Sequence, residues 1–385
     1  MPPQNHAAYL VDKHGKPLEV RPAPYTTPSI DELVVEVKAI AINPVDVGVQ
    51  LLGSLMFPWI KYPAIVGNDV SGVVVEVGSG KASKLFRPGD RVFGHAVGTD
   101  KRSNNAAEAA FQKYTVLRYN LASKIPGSLS HEQTSVLPLG LSTAACGLFM
   151  KDYLALRLPK SAPEADGTTS ITTSGESRNE AVIVWGGSTS VGSNAVQLAH
   201  AAGYEVLATA SPKNFEYLKS IGASKVFDYK QVNAVRDIIS ALQNKTCAGA
   251  IAIGDRSLEA CIDIVGAVPG RKFVSQASNP VEMSDMPTGT VGLIWTMLKL
   301  IWWNITVGIR AKFKGVSTKF IWGSDLMANE VGSAIYNDFL PQALATGQYQ
   351  AKPSPTVVGS GLESLQNAID FYQRGVSATK IVVSL

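Results

Sequence analysis

Hydrophobic and polar residues alternate in blocks between residues 181 and 322, where short apolar runs are followed by stretches with helical spacing. The apolar runs are β-branched and too short for helices, so they predict buried strands. The predicted strands are residues 181–185, 205–210, 225–228, 250–254, 271–275 and 316–322, and the predicted helices are residues 193–202, 214–221, 235–242 and 257–265. This alternation predicts a doubly wound parallel sheet with right-handed crossovers.

The first third of the chain has a different pattern, with short β-branched runs, many turn residues and few helical periods. Strands are predicted at residues 33–41, 73–78 and 91–94, with a turn at Asn43-Pro44-Val45-Asp46. We therefore expect a compact β-rich domain here. Further along, helices are predicted at residues 137–149, 330–346 and 362–374, a final strand at 380–384, and a mobile surface insertion at 160–179.

One apolar segment stands apart from these elements. Residues 293–303 are apolar on nearly every side of a helix, which favours burial over an amphipathic surface role. Two interpretations of this segment are possible: a core helix, or a pocket or lid for a bulky lipophilic substrate. Lys299 and Asn304 lie within the longer apolar stretch, and a charge in mid-membrane is costly, so we expect no membrane span.

Composition narrows the class of protein. With 385 residues, 45% hydrophobic and 17% charged, the chain has the length and composition of a two-domain globular enzyme. A net charge of only +4 and the lack of a basic run argue against nucleic acid as a partner. Three scattered cysteines (Cys146, Cys247 and Cys261) and no apolar signal sequence at the N-terminus predict a reducing, cytoplasmic location.

The stretch 181–192 combines a strand, a glycine- and serine-rich turn and the start of a helix. Unpaired N–H groups at such a helix N-terminus can bind a phosphate. Gly187 and Gly192 occupy the outer positions of a G-x-G-x-x-G pattern, while Thr189 takes the middle one. We expect Thr189, with Ser188 and Ser190, to offer hydroxyl donors to the phosphates.

The end of the second predicted strand indicates which dinucleotide is bound. NAD sites place an acidic side chain there, against the ribose 2′-OH. Ser211, Lys213 and Asn214 instead provide a hydroxyl, a cation and an amide, and the first carboxylate after them is Glu216. Together with Tyr229, just past the third strand, they predict a 2′-phosphate site and hence NADPH. An ordinary solvated turn with a surface lysine is the alternative.

Four ordered motifs resemble the medium-chain dehydrogenase/reductase superfamily over nearly the whole chain. They are NPxD at 43–46, GxDxxGxV at 67–74, GDRV at 89–92 and GGSTSVG at 186–192. Within that superfamily the chain is similar to zinc-free quinone and enoyl reductases, and resembles fungal trans-acting enoyl reductases and CipB- and ToxD-like proteins. The resemblance implies an α/β fold with a GroES-like β-rich catalytic domain (1–145, completed by 326–385) and a Rossmann NADPH-binding domain (146–325).

The same resemblance assigns residues to the site. Those implied for cofactor binding are Val45, Asp46, Val47, Gly48, Gly187, Ser188, Thr189, Ser190, Val191, Ser211, Lys213, Asn214, Tyr229, Ser275, Gln276, Val376 and Ser377. Those implied for the substrate pocket are Leu139, Gly140, Leu141, Ser142, Thr143 and Ala144, with Trp295 from the apolar segment.

Zinc-dependent relatives hold their metal with a Cys near the NP turn, a His in G-H-E and a third Cys or Asp. This chain has no Cys before Cys146, and carries Asn68 and Leu139 at the other two places, so we expect no metal. Without a metal, the expected reaction is hydride transfer from NADPH to an electron-poor carbon of an enone, enoyl thioester or quinone.

Two residues are candidates for a catalytic role. Thr143 is a candidate hydrogen-bond donor to a substrate carbonyl. Asp46 is the other polar candidate, with a turn-stabilising aspartate as the alternative. The tyrosine proton donor of mitochondrial-type enoyl reductases has no counterpart, because Gly53 and Ser54 occupy its place. Solvent is then the candidate proton source.

Three functions remain open. The first is an NADPH-dependent reductase of a lipophilic small molecule. The second is a trans-acting enoyl reductase that serves a polyketide synthase and takes a carrier-bound substrate. The third is a non-catalytic NADPH-binding protein. The expected assembly is a monomer or homodimer.

Overall fold

A computed structural model describes residues 3–13, 15–161, 179–280, 287 and 289–385. The surface insertion predicted at 160–179 falls almost entirely outside these described residues. The strands are β1 (Asn5–Leu10), β2 (Glu19–Ala23), β3 (Glu32–Ala41), β4 (Ala64–Ile65), β5 (Asp69–Val77), β6 (Arg91–His95), β7 (Tyr114–Arg118), β8 (Ala122–Lys124), β9 (Glu180–Trp185), β10 (Glu205–Ala210), β11 (Lys225–Asp228), β12 (Thr246–Ala252), β13 (Phe273–Gln276), β14 (Ser317–Phe320), β15 (Ser354–Ser360) and β16 (Thr379–Ser384).

Helices alternate with the later strands and are sparse among the early ones. They are α1 (Pro44–Leu52), α2 (Ala82–Leu85), α3 (His131–Ser135), α4 (Pro138–Phe149), α5 (Ser190–Ala201), α6 (Phe215–Ser220), α7 (Ala234–Ala241), α8 (Ser257–Ala267), α9 (Thr290–Lys314), α10 (Glu330–Ser333), α11 (Leu340–Ala345) and α12 (Leu365–Tyr372). A π-helical turn, Ala334–Phe339, joins α10 to α11.

The strands from β9 to β14 form a parallel sheet in the order β11-β10-β9-β12-β13-β14. The central strand β9 is apolar on both faces: Val182 and Val184 pack into one core, while Ala181, Ile183 and Trp185 pack into the other. Strand order reverses on either side of β9, which is the arrangement of a dinucleotide-binding fold. The predicted α/β fold with a parallel cofactor sheet is confirmed.

The earlier strands form the β-rich part, in which β15 and β16 also take part. The larger sheet has the order β15-β16-β3-β5-β6-β8, with β7 also paired to β3, and a smaller sheet has the order β2-β1-β4. Strand β16 runs antiparallel to β3, with Val383 opposite Ile40. The end of the chain therefore returns to the first block of strands. The domain boundaries expected near residues 145 and 325 stay predictions.

Two local predictions are wrong. Residues 43–46 were expected to form a turn, but Asn43 is the N-cap of α1 and Pro44 is its first residue, a position where the missing N–H of proline costs nothing. The apolar segment 293–303 was expected to be buried, but α9 exposes most of its large apolar side chains, including Trp295 and Trp302. By length and apolar composition alone, residues 291–314 are the one described helix that could cross a bilayer.

Candidate functional site

The N-terminus of α5 lies at the carboxyl end of β9, where open α/β sheets bind their ligands. Thr189 is its N-cap: the Thr189 hydroxyl accepts a hydrogen bond from Gly192 N at 3.0 Å and donates one to Gly186 O at 2.8 Å. The expected donation from Thr189 to a phosphate is therefore not available in this structure. Its role here is to fix the turn and the first turn of the helix.

Glycine is required in this turn for steric reasons. Gly186 has φ +81°, and a Cβ added to Gly192 would lie 2.2 Å from Gly186 O. A Cβ on Gly187 would come within 2.9 Å of the Leu218 side chain. Ser190 Oγ is buried and makes no hydrogen bond within the described chain. The unpaired hydroxyl and the free helix N–H groups fit the pyrophosphate of a nicotinamide dinucleotide.

The residues predicted to bind a 2′-phosphate cluster beyond β10. Ser211 Oγ lies 3.4 Å from Tyr229 Oη, and Lys213 is exposed with no ion pair to any described residue. Asn214 is buried, with its N–H bonded to Ser211 O. Sequence reasoning overlooked Asp228, which lies opposite Ala210 but accepts hydrogen bonds from its own turn, including one from Lys230 N.

Helix α4 connects the start of β5 with the phosphate-binding turn before α5. At its N-terminus, Leu139 N donates to Asp69 Oδ1 at 2.6 Å, which ties α4 to the start of β5. One residue later, Gly140 lies against α5, since a Cβ there would come 2.4 Å from Ser190 Oγ. The predicted substrate segment is thus in direct contact with the predicted phosphate-binding turn.

Helix α4 is buried over most of its surface. Leu141 and Ala144 are core residues, and Ser142 is buried in a hydrogen-bonded chain, so their assignment to a pocket wall is wrong for this structure. The cause is the burial of α4 on most of its circumference. Leu139 is partly exposed, while Thr143, four residues later on the same face, is 8% exposed and its Oγ1 donates to Leu139 O at 2.8 Å. Both side chains lie against Gly323, where an added Cβ would come 2.6 Å from Thr143 Oγ1.

A buried charged cluster lies beneath the start of α4. Lys380 Nζ is 2.9 Å from Asp69 Oδ2 and donates to Asn43 Oδ1, and the two charged side chains are 5% and 0% exposed. Asp46 accepts a hydrogen bond from Asn43 N at 2.8 Å and so helps to cap α1. The geometry therefore favours a structural role for Asp46 over a catalytic one. The sequence feature that could have identified Lys380 is its position as a lone cation in an apolar strand.

A second buried chain of polar groups was also missed. His95 Nδ1 lies 3.0 Å from Ser142 Oγ, and Ser142 Oγ lies 2.7 Å from Tyr336 Oη, which donates to Pro138 O. His95 Nε2 is buried without a hydrogen-bond partner in the described chain. Burial lowers the pKa of His95 to about 4, so this imidazole is neutral at pH 7.

Asp46 and His95 should have opposite effects on the pH dependence of stability. Burial raises the pKa of Asp46 from 3.8 to about 7, so the folded protein holds the extra proton and this group's contribution to stability falls as pH rises from about 4 to 7. For His95, lowered from 6.5 to about 4, the unfolded chain holds the extra proton and stability rises over about pH 4 to 6.5. Each slope is at most about 1.4 kcal/mol per pH unit, and the two cancel.

Single substitutions should reveal how each group changes the free energy of unfolding with pH. Asp46→Asn should become more stable relative to wild type as pH rises from 4.5 to 6.5, and His95→Gln should become less stable over the same interval. Urea unfolding at three pH values measures both. Identical pH profiles for the two variants would contradict the opposing assignments.

The remaining predicted site residues differ in how far they are exposed and in what they contact. Ser275 is fully buried and donates to Gly147 O, and Gln276 Nε2 donates to Ser278 O, so the Ser275 hydroxyl is not directed at a cofactor. Val47 and Gly48 are buried within α1, while the remaining members are partly or largely exposed: Val45, Ser188, Val191, Val376 and Ser377. Trp295 is 63% exposed on α9 and does not line an enclosed pocket.

The donor atoms available do not fit a zinc ion. Asn68 Nδ2 donates to Ala96 O, Leu139 offers no side-chain donor, and Lys380 brings a positive charge to Asn43. Within the described ranges there is no group of three or more His, Cys, Asp or Glu side chains that could hold a metal.

Known proteins resemble this chain from end to end. Two family models match it, the alcohol dehydrogenase GroES-like domain over residues 29–127 and the zinc-binding dehydrogenase over residues 190–278. The dehydrogenase pigH of Monascus ruber is 46% identical over 100% of both chains, and the trans-enoyl reductase himH of Aspergillus japonicus is 34% identical over 99% of this chain and 97% of its own.

The fold agrees with these matches. An alcohol dehydrogenase superfamily protein from Novosphingobium aromaticivorans superposes with a TM-score of 0.69 at 22% identity, covering 99% of each chain. A GroES-like domain, a parallel cofactor sheet and full-length relatives all agree with the motifs in the sequence. The chain belongs to the medium-chain dehydrogenase/reductase superfamily of oxidoreductases, which bind a nicotinamide cofactor.

Proposed function

We propose that this chain is a zinc-independent, NADPH-dependent reductase of an activated C=C bond in an enone, enoyl thioester or quinone. The observation that carries the proposal is the contact between Gly140 of α4 and Ser190 of α5. It brings Leu139 and Thr143 of α4 close to the phosphate-binding turn. When bound, the cofactor supplies a hydride, and the donor atoms present do not supply a metal-based alternative.

In this reaction, the residues of the site would bind the cofactor and the substrate and orient them toward each other. The N-terminus of α5 holds the pyrophosphate, with Ser190 Oγ as a hydroxyl donor that has no other partner in the described chain. Leu139 and Thr143 contact the substrate. The Thr143 hydroxyl, which donates to Leu139 O in this structure, turns to the substrate carbonyl and stabilises the enolate oxygen. Solvent supplies the proton.

Preference for NADPH is expected to depend on Lys213. Replacing it with alanine removes a charge-assisted contact to the 2′-phosphate, so the Kd for NADPH should rise by about 10- to 100-fold. The Kd for NADH should stay unchanged because NADH has no 2′-phosphate. Isothermal titration calorimetry with both dinucleotides measures the difference.

Lys219→Ala is the matched control, since Lys219 is exposed nearby but paired with Glu216 at 2.8 Å. It should leave both affinities unchanged. Equal loss of NADPH and NADH binding in Lys213→Ala, or no loss of either, would rule out Lys213 as the 2′-phosphate ligand.

A carrier-bound substrate is the narrower candidate, favoured by the likeness to a protein named as a trans-enoyl reductase. In that case a polyketide synthase would present the enoyl group as a thioester on its carrier domain. The same enoyl group on a carrier protein should then be reduced at least tenfold faster than on a small free thiol. Equal rates would leave the free small-molecule substrate as the better description.

A further inference from the structure

Within the part of the chain that the structure describes, no residue covers the apolar face that runs along helix α9. Nine large apolar side chains on it are each at least 49% exposed: Val291, Ile294, Trp295, Leu298, Ile301, Trp302, Ile305, Ile309 and Phe313. Their spacing of three, four and seven residues places them on one side of the helix. Single-chain proteins rarely leave a continuous apolar surface of this size open to water.

The opposite side of α9 is fixed to the cofactor sheet. Val307 and Ala311 are buried in the core with residues of α8, and Trp303 Nε1 donates to Glu259 Oε1 at 2.6 Å. An ion pair joins Arg310 to Asp263. Because these contacts anchor one side of the helix, the apolar side must face away from the protein.

The charge of α9 indicates what could cover that side. Residues 290–314 contain Lys299, Arg310, Lys312 and Lys314 and no acidic residue. These four cations equal the formal net charge of +4 of the whole chain, so the remainder of the chain is neutral. Lys299, Lys312 and Lys314 form no ion pair with a described residue. The apolar face is therefore accompanied by uncompensated positive charge.

We infer that α9 is a membrane-surface helix that lies flat on an anionic phospholipid bilayer. The apolar side chains would enter the boundary between headgroups and acyl chains, while Lys299 and Lys312, which flank the apolar side, would reach the anionic headgroups. Trp295 and Trp302 are of the residue type that is enriched at this depth. The helix would lie on the bilayer over roughly 37 Å at 1.5 Å per residue. It would not span the bilayer, because its inner side stays packed on α8.

A second copy of the chain fits the apolar face of α9 less well than a bilayer does. A two-fold contact would place the same patch of each copy against the other, and would therefore bring two sets of lysines together without acidic partners on α9. An anionic bilayer provides both the apolar phase and the opposite charge. This interaction is separate from the proposed reduction and does not depend on it.

Flotation with lipid vesicles tests the inference. Wild-type protein should float with vesicles of phosphatidylcholine and phosphatidylserine at a 7:3 ratio, and at least tenfold less with pure phosphatidylcholine or in 0.5 M NaCl. Trp295→Ser/Trp302→Ser and Lys299→Glu/Lys312→Glu should each lower the binding at least tenfold. Val232→Ser, at a residue 99% exposed before α7, is the control and should bind as wild type does.

Thermal unfolding of each variant checks that the fold is retained, which we expect because the substituted side chains are exposed. The inference is overturned if wild type does not float with the anionic vesicles, or if the tryptophan variant floats equally well. It is also overturned if sedimentation shows a stable dimer that the tryptophan substitutions dissociate and that does not bind vesicles.

Discussion

Replacing Lys380 with methionine should lower the free energy of unfolding by about 3–5 kcal/mol. Lys380 Nζ lies 2.9 Å from Asp69 Oδ2, and the two side chains are almost fully buried. Removing the ammonium leaves a carboxylate in a low-dielectric interior without its counter-charge, and also removes the donor to Asn43 Oδ1. Chemical denaturation of the wild type and variant measures the loss.

A double substitution separates loss of the pair from loss of packing. Asp69→Asn with Lys380→Met removes both charges and retains an oxygen that can accept from Leu139 N, so most of the lost stability should return. The pair of Arg21 and Glu19, each about half exposed, is the matched control: Arg21→Met should cost less than about 1 kcal/mol. Equal costs for Lys380→Met and Arg21→Met would contradict a buried, coupled pair.

Gly192→Ala should weaken nicotinamide dinucleotide binding by roughly 100-fold, which corresponds to about 2.7 kcal/mol. The new Cβ would lie 2.2 Å from Gly186 O and 2.7 Å from Gly187 Cα, both of them backbone atoms. Since neither atom can move without opening the turn, the first turn of α5 must shift away from the position that fits a pyrophosphate. Calorimetric titration with NADPH measures the effect.

Gly308→Ala is the control for the glycine substitution itself. Gly308 lies in the middle of α9, and an added Cβ there meets no atom within 4 Å. Alanine should be neutral or stabilising by up to about 1 kcal/mol at this position, with no effect on cofactor affinity. A Gly192→Ala variant that binds NADPH as tightly as wild type would show that this turn does not hold the phosphates.

The cofactor half of the molecule could be predicted from sequence because its signals are local. The run of residues 181–185, the glycine turn and the start of α5 are contiguous, and their strand, turn and helix patterns agree with the final fold. The role of the Thr189 hydroxyl could not be predicted in the same way. An N-cap and a phosphate donor have the same residue type at the same place, and only the positions of Gly186 O and Gly192 N distinguish them.

The buried charges were outside the reach of sequence reasoning because their partners are distant in the chain. Asn43 and Lys380 are 337 residues apart and meet only when β16 pairs with β3. Composition also could not tell a buried apolar helix from an exposed one. The pattern of residues 293–303 fits either, and the packing of α8 against only one side of α9 decides the outcome.

The most direct test of the central claim is to supply purified protein with NADPH carrying two deuterium atoms at the nicotinamide C4, together with a series of enones, enoyl thioesters and quinones. The proposed function predicts NADPH oxidation, little or none with NADH, and a reduced product in which one deuterium lies on the former β-carbon of an enone or enoyl substrate. Tight NADPH binding without turnover of any acceptor, or deuterium only on a carbinol carbon, would contradict it.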